Sequence, residues 1–207
     1  MDKLKNRTSK LSFRIIGGVV VMLVVLTCIA SIIGYIRFTQ SLTNEYTDSA
    51  FRTAYTAAKI VDGNKIDEYL ETKGDSEEYQ RKWNNLNILC QEQNVTLVYA
   101  IAVDTTDYNS FLSVFNTVNE NSSYTPWEVG YQRNTTNEEY RQIYIDIYEN
   151  GLEKASIART SNLGGKEPHI TALIPIKNLD GKVTAILCVQ RPMEELKTGR
   201  MDYLKWV

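Results

Sequence analysis

His169 to Gln190 read HITALIPIKNLDGKVTAILCVQ, two apolar, β-branched runs separated by Asn178-Leu179-Asp180-Gly181. Asp-Gly between two such runs is a hairpin signal, because glycine enters the positive-φ turn that lets two strands return on each other. The spacing predicts strands over Pro168 to Lys177 and Lys182 to Arg191. One step upstream, Leu152 to Thr160 reads as a further strand, joined to the first by the glycine-bearing turn SNLGGKE. Consecutive hairpins can only build an antiparallel sheet.

Further outward, VTLVYAIAVD from Val95 alternates large apolar groups (Val95, Leu97, Tyr99, Ile101, Val103) with smaller ones that are themselves mostly apolar. That pattern predicts a strand covered on both faces. SFLSVFNT follows as its partner, and residues 119 to 136 read as a polar loop. Helices are expected where the period lengthens. One runs over 38 to 61 with small residues on one stripe, and a short turn covers Ile66 to Leu70. A third follows the capping signal Asp75-Ser76-Glu77-Glu78, with Tyr79, Trp83, Leu86, Leu89 and Cys90 on its apolar face. The last follows Asn137-Glu138-Glu139, with Tyr140, Ile143, Tyr144, Ile147 and Tyr148 at helical spacing, and Gly151 stops it. The class is α+β, with a roughly five-stranded antiparallel sheet and its helices gathered on one side.

Ahead of this domain lie 22 residues without a charge, Ile15 to Ile36. At ~1.5 Å per residue they reach about 33 Å, enough for a hydrocarbon core of about 30 Å and longer than a signal-peptide core. Residues 1 to 14 carry Lys3, Lys5, Arg7, Lys10 and Arg14 against Asp2. By the positive-inside rule the N-terminus is cytoplasmic and the chain beyond the membrane is extracytoplasmic. The expected organisation is a basic cytoplasmic tail (1–14), a transmembrane helix (15–37), an extracytoplasmic domain (38–195) and a juxtamembrane helix (196–207). This last ends in Tyr203-Leu204-Lys205-Trp206-Val207, an aromatic and basic signature of the kind that precedes a second membrane crossing.

Composition narrows the function. The net charge of −2 hides a positive head, so the body is acidic and offers no surface for neutralising nucleic-acid phosphates. One histidine and three scattered cysteines, Cys28, Cys90 and Cys188, make no metal-binding cluster. Cys90 and Cys188 sit in apolar stretches and read as buried free thiols. No glycine-rich phosphate loop, no nucleophile elbow and no spaced catalytic set is present, so no enzyme activity and no cofactor is expected of this chain. Glu138-Glu139 and Glu194-Glu195 are explained as acidic helix turns.

The closing hairpin, with its internal Pro175, its Asp-Gly turn and its small and apolar final strand, resembles that of Cache domains, the PAS-like extracytoplasmic sensor modules of bacterial membrane receptors. The anchor, the long first helix and the paired early strands follow the same order, so the resemblance spans about residues 38 to 195. It implies a small-molecule sensing domain that relays ligand binding through its membrane helices. Such strands often end Gly-Val-Asp, whereas this one ends Cys188-Val189-Gln190. A neutral Gln190 hydrogen-bonds but cannot pair an ammonium as a carboxylate would, which puts an amino-acid ligand in doubt.

The candidate site is the loop YTPWEVGYQR, residues 124 to 133. Trp127 and Tyr131 would wall a pocket and Arg133 would clamp an anion bidentately, with Gln190 on the floor. The bland reading is that Trp127 caps the sheet and Arg133 is solvated. Tyr99 needs a hydroxyl partner, ligand or backbone, and His169 is either a ligand contact or a structural residue at a strand start. Arg159 either reaches the same cavity or decorates an edge, the edge reading being favoured. The expected partners are a neutral or anionic small molecule and a second copy of the chain through the first helix, although that helix's small-residue stripe fits packing on its own domain equally well. The alternative function is a ligand-free dimerisation or protein-docking module.

Topology is testable directly. Ser122→Cys and Ser9→Cys, each in a Cys-less background, should differ toward a membrane-impermeant thiol reagent on intact cells: position 122 labels and position 9 does not. The reverse pattern refutes the orientation.

Overall fold

The structure, a computed structural model, describes residues 2–159 and 168–193. The expected SNLGGKE turn, Glu194-Glu195 and the segment 196–207 lie outside the described residues. In chain order the elements are α1 (Asp2–Ala58), α2 (Ile66–Glu71), α3 (Glu77–Glu92), β1 (Leu97–Val103), β2 (Ser110–Val118), β3 (Gln132–Asn134), α4 (Glu138–Tyr148), β4 (Ala155–Arg159), β5 (His169–Lys177) and β6 (Val183–Pro192). Among the described residues the chain divides into two units, one of residues 2–43 and one of residues 44–159 with 168–193.

The first unit is described by helix α1. Expected as two segments, it is unbroken, since no Gly or Pro follows Gly34 before its end. It is the one helix among the described residues long and apolar enough to cross a membrane. Val19, Leu26 and Ile33 are exposed, and Thr27 turns its hydroxyl back to the Leu23 carbonyl at 2.9 Å. An exposed apolar surface with its polar groups satisfied internally matches a hydrocarbon solvent, not water.

The second unit is α+β, built on a six-stranded antiparallel sheet in the order β3-β2-β1-β6-β5-β4. The strand beyond the expected five is β3, inside the polar loop. Its three residues are all exposed, so it carries no alternating apolar signal. Backbone bonds hold it there: Ser113 N–H donates to Tyr131 O at 3.0 Å and Gly130 N–H to Ser113 O at 2.8 Å.

The helices are not gathered on one side. Tyr69 of α2 and Tyr79 of α3 enclose Phe115 on one face of the sheet, with ring centroids 5.4 and 4.5 Å away. Tyr144 and Ile147 of α4 cover the other face, packed with Leu97, Tyr99, Ile101 and Val103 of β1 and with Ile186 and Cys188 of β6. The reason lies in β1, whose alternate set, Val98 and Ala100, is also fully buried. A strand apolar on both faces needs cover on both. Ala50, Ala54 and Ala57 of α1 are fully buried within the chain, so the small-residue stripe packs on its own domain.

One irregularity orders everything nearby. The β1–β2 register slips between Ala100, opposite Phe115, and Ile101, opposite Ser113, leaving Val114 as a bulge. The Tyr79 hydroxyl donates to the freed Val114 carbonyl at 2.8 Å. Because side chains alternate, the extra residue turns Phe115 toward α2 and α3 and brings Asn116 onto the α4 face beside Tyr99.

At the far end the α1–α2 connection is fastened to the β5–β6 hairpin. Thr184 donates its hydroxyl to Gly63 O at 2.9 Å, and Leu179 N–H donates to Asn64 Oδ1 at 2.9 Å. A Cβ on Gly63 would lie 2.3 Å from the Lys177 carbonyl oxygen, an approach only glycine allows. Gly63→Ala should therefore cost about 1–3 kcal/mol and lower the melting temperature by several degrees. Gly17→Ala, with nothing near its added methyl, should leave it unchanged. Equal melts of Gly63→Ala and the parent would remove this fastening from the structure.

Candidate functional site

On the α4 face, cover is incomplete beyond Tyr140. The gap is a cavity of about 360 Å³ between the sheet, α4 and the loop before β3. Strand register sets its floor. Asn116 lies opposite Tyr99, which lies opposite Cys188; one row on, Leu97 lies opposite Gln190, and Gln190 opposite Thr171; further still, His169 pairs with Arg159. Tyr99, Asn116, Gln190, His169 and Arg159 all line the cavity.

The walls are aromatic. Trp127 stands edge-on to Tyr99, with centroids 5.8 Å apart, and leans on Phe111 at 5.9 Å. Tyr140 and Tyr144 close the α4 side, 6.2 Å apart. Arg133, at the middle of β3, holds its guanidinium carbon 4.8 Å from the Trp127 ring centroid, and Arg159 holds its own 5.7 Å from that of Tyr140. Planar cations on aromatic faces are attracted by the ring quadrupole and keep their N–H edges available. Among the described residues, no acidic one lines the cavity.

Five of the six site residues expected from the sequence, Tyr99, Trp127, Arg133, His169 and Gln190, come together around this one cavity. Tyr131 does not line it. It is 51% exposed and stacks behind Trp127 at 6.4 Å, because the turn at Gly130 carries it outward. Arg159, expected as edge decoration, does line it: β4 is an edge strand, yet its pairing with His169 continues the cavity row. Tyr124, the first residue of the candidate loop, also lines it, whereas Asn116, Tyr140 and Tyr144 were not expected as cavity residues. A polar Asn116 inside the apolar run of β2 was the available signal, but the bulge that aims it is invisible in the sequence.

Hydrogen bonding is uneven across the site. Gln190 Nε2 donates to the Tyr124 hydroxyl at 3.4 Å, and the Tyr140 hydroxyl to Thr171 Oγ1 at 3.1 Å. Tyr99 lies directly across the ladder from Cys188. Asn116 Oδ1 and Thr135 Oγ1 are buried and have no partner. Desolvation raises the phenols of Tyr99, Tyr140 and Tyr144 and pushes Cys188 up to about 12. The aromatic walls therefore stay uncharged at neutral pH. Among the described residues no three His, Cys, Asp or Glu side chains gather as a metal site, and the cysteines are free thiols.

No protein-family model matches the chain, and no curated protein sequence matches it. Its neighbours among solved structures are sensor domains of the Cache and PAS-like kind. The Escherichia coli DcuS sensor domain is 14% identical with a TM-score of 0.47, covering 78% of this chain and 98% of that one. The sensor domain of the Vibrio cholerae histidine kinase DctB is 14% identical at 0.46, covering 78% and 60%. The ligand-binding domain of the Campylobacter jejuni chemoreceptor Tlp3, in complex with L-norvaline, is 19% identical at 0.44, covering 80% and 58%. The chain thus spans under two thirds of the Tlp3 domain's length.

Burial of Cys188 gives a pH dependence. Its folded value lies above the ordinary 9.0, so the unfolded chain releases a proton that the folded chain keeps. This contribution is complete below about pH 9 and declines as pH rises toward 12; the tyrosines add in the same direction from about pH 10. Denaturant-derived stability should fall from pH 8 to pH 10, and less steeply in Cys188→Val. Identical slopes would place Cys188 in contact with solvent.

Proposed function

We propose that residues 38–195 form the extracytoplasmic small-molecule sensing domain of a bacterial membrane signal-transduction receptor, anchored by residues 15–37, in which ligand binding is relayed through the membrane helices. The observation that carries the reading is the cavity's makeup: two guanidinium groups and an aromatic wall, with no acidic side chain among the described residues that line it. Such a site holds a small anionic or neutral molecule. Arg133 grips it bidentately, Arg159 adds a second cation, Trp127 and Tyr99 wall it, and Gln190 and His169 hydrogen-bond from the floor. Tyr131 acts behind Trp127, holding that ring in place. With two guanidinium groups and no carboxylate among the described lining residues, the cavity disfavours a cationic amine. Dimerisation through α1 would use the side away from Ala50, Ala54 and Ala57, where Tyr55 is exposed.

The test is a thermal-shift screen of the full chain in detergent against organic anions, neutral metabolites and amines. A ligand at 100 times its Kd adds about 2.7 kcal/mol of stability. Hits should be anionic or neutral. Calorimetric titration with a hit should show at least tenfold weaker binding in Arg133→Ala, with the ligand-free melting temperature nearly unchanged, and Gln190→Asp should repel an anion. Unchanged affinity in Arg133→Ala removes the cavity assignment, and a screen without hits favours the docking-module alternative.

A further inference from the structure

Asn116 is 4% exposed, and its Oδ1 is buried on the cavity side of the sheet without a hydrogen-bond donor. Buried carbonyl oxygens are nearly always paired, because an unpaired one has lost its water and gained nothing in return. Nearby donors are committed elsewhere. Trp83 Nε1 donates to the backbone oxygen of Asn116 and not to its side chain, at 3.1 Å. Gln190 Nε2 donates to the Tyr124 hydroxyl. The bulge in β2 brings this amide to the cavity, and a regular strand would have kept it away. A second atom tells the same story: Thr135 Oγ1, also on the lining, is buried and unpartnered.

We propose that Asn116 is a specificity-determining acceptor, so that the ligand carries an uncharged hydrogen-bond donor beside its anionic group: a hydroxycarboxylate, in preference to a plain carboxylate or an amino acid. The proposal rests on the anion-binding reading above and narrows it. The donor must be uncharged because an ammonium would enter a cavity that already holds Arg133 and Arg159, with no carboxylate among the described lining residues to receive it. The donor and the anion belong to one molecule because the amide and both guanidinium groups line one cavity. A site built around a buried acceptor discriminates strongly against an analogue that lacks the donor, since binding that analogue seals the acceptor away from water unpaired.

Three acids that share a skeleton separate the possibilities: lactate, propionate and alanine, with 3-phenyllactate, 3-phenylpropionate and phenylalanine as ring-bearing counterparts suited to the aromatic walls. Titrated calorimetrically into the full chain in detergent, the hydroxy acid of at least one series should bind at least tenfold more tightly than its deoxy and amino counterparts. Asn116→Leu should erase the gap between hydroxy and deoxy acids while leaving the deoxy acid's affinity in place. If that variant loses its cooperative melt, Asn116→Ala and the parent affinities decide. Equal binding of hydroxy and deoxy acids in the parent overturns the role of Asn116, and with binding still lost in Arg133→Ala it leaves the anion reading standing. Tightest binding by the amino acid overturns the requirement for an uncharged donor. Binding by none of the six overturns the proposal, and the wider screen then reports separately on the anion reading.

Discussion

A strand buried on both faces must be covered twice, and β1 imposes that requirement on the whole domain. Its Leu97, Tyr99, Ile101 and Val103 point one way and its Val98 and Ala100 the other, all of them buried. It pairs on one edge with β2 and on the other with β6, so every neighbouring strand inherits the same two layers. Helices α2 and α3 close one layer with the aromatic cluster around Phe115. Among the described residues the other layer has only α4, eleven residues long. One short helix cannot cover a six-stranded sheet, and the cavity occupies what it leaves open.

The composition of the floor follows from that geometry. Where α4 covers the sheet, the inward residues are Ile101, Ile186 and Leu173. Where it does not, they are Asn116, Gln190 and His169, side chains that could not be buried against hydrocarbon without partners. Tyr99 and Cys188 sit at the border, opposite each other in the ladder and kept neutral by burial. The transition from packed core to cavity lining therefore runs along single strands, one pair of residues apart. On β6 it falls between Cys188 and Gln190.

Local chemistry made the elements legible in the sequence. Ser76 and Asn137 cap α3 and α4 by accepting from Tyr79 N–H and Glu139 N–H, and the Asp-Gly turn with Gly181 at positive φ closes the β5–β6 hairpin. Arg133 and Trp127 were legible as a pair for a similar reason, since they are close in the chain and share a polar loop. The features that escaped depend on distant contacts. β3 exists because β2 offers it an edge, Arg159 reaches the cavity through its pairing with His169, and α4 crosses to the second face because the first is already filled. The resemblance of the closing hairpin pointed to the class of fold but could not aim Asn116, whose direction depends on one unpaired residue in another strand.

That residue, Val114, acts as a reading frame for the sheet. Upstream of it β2 turns odd-numbered side chains toward the cavity layer, and downstream it turns even-numbered ones. Pairing Val114 regularly, with no residue lost, would exchange the contents of the two layers, sending Asn116 among the rings of Tyr69 and Tyr79 and leaving Phe115 where the amide stands. Removing Val114 itself would leave both layers as they are, because Ser113 and Phe115 already alternate across the gap. What the fold must keep is the parity of the strand on either side of the bulge, with Ser113 and Asn116 on one face, and not the bulged residue's own side chain.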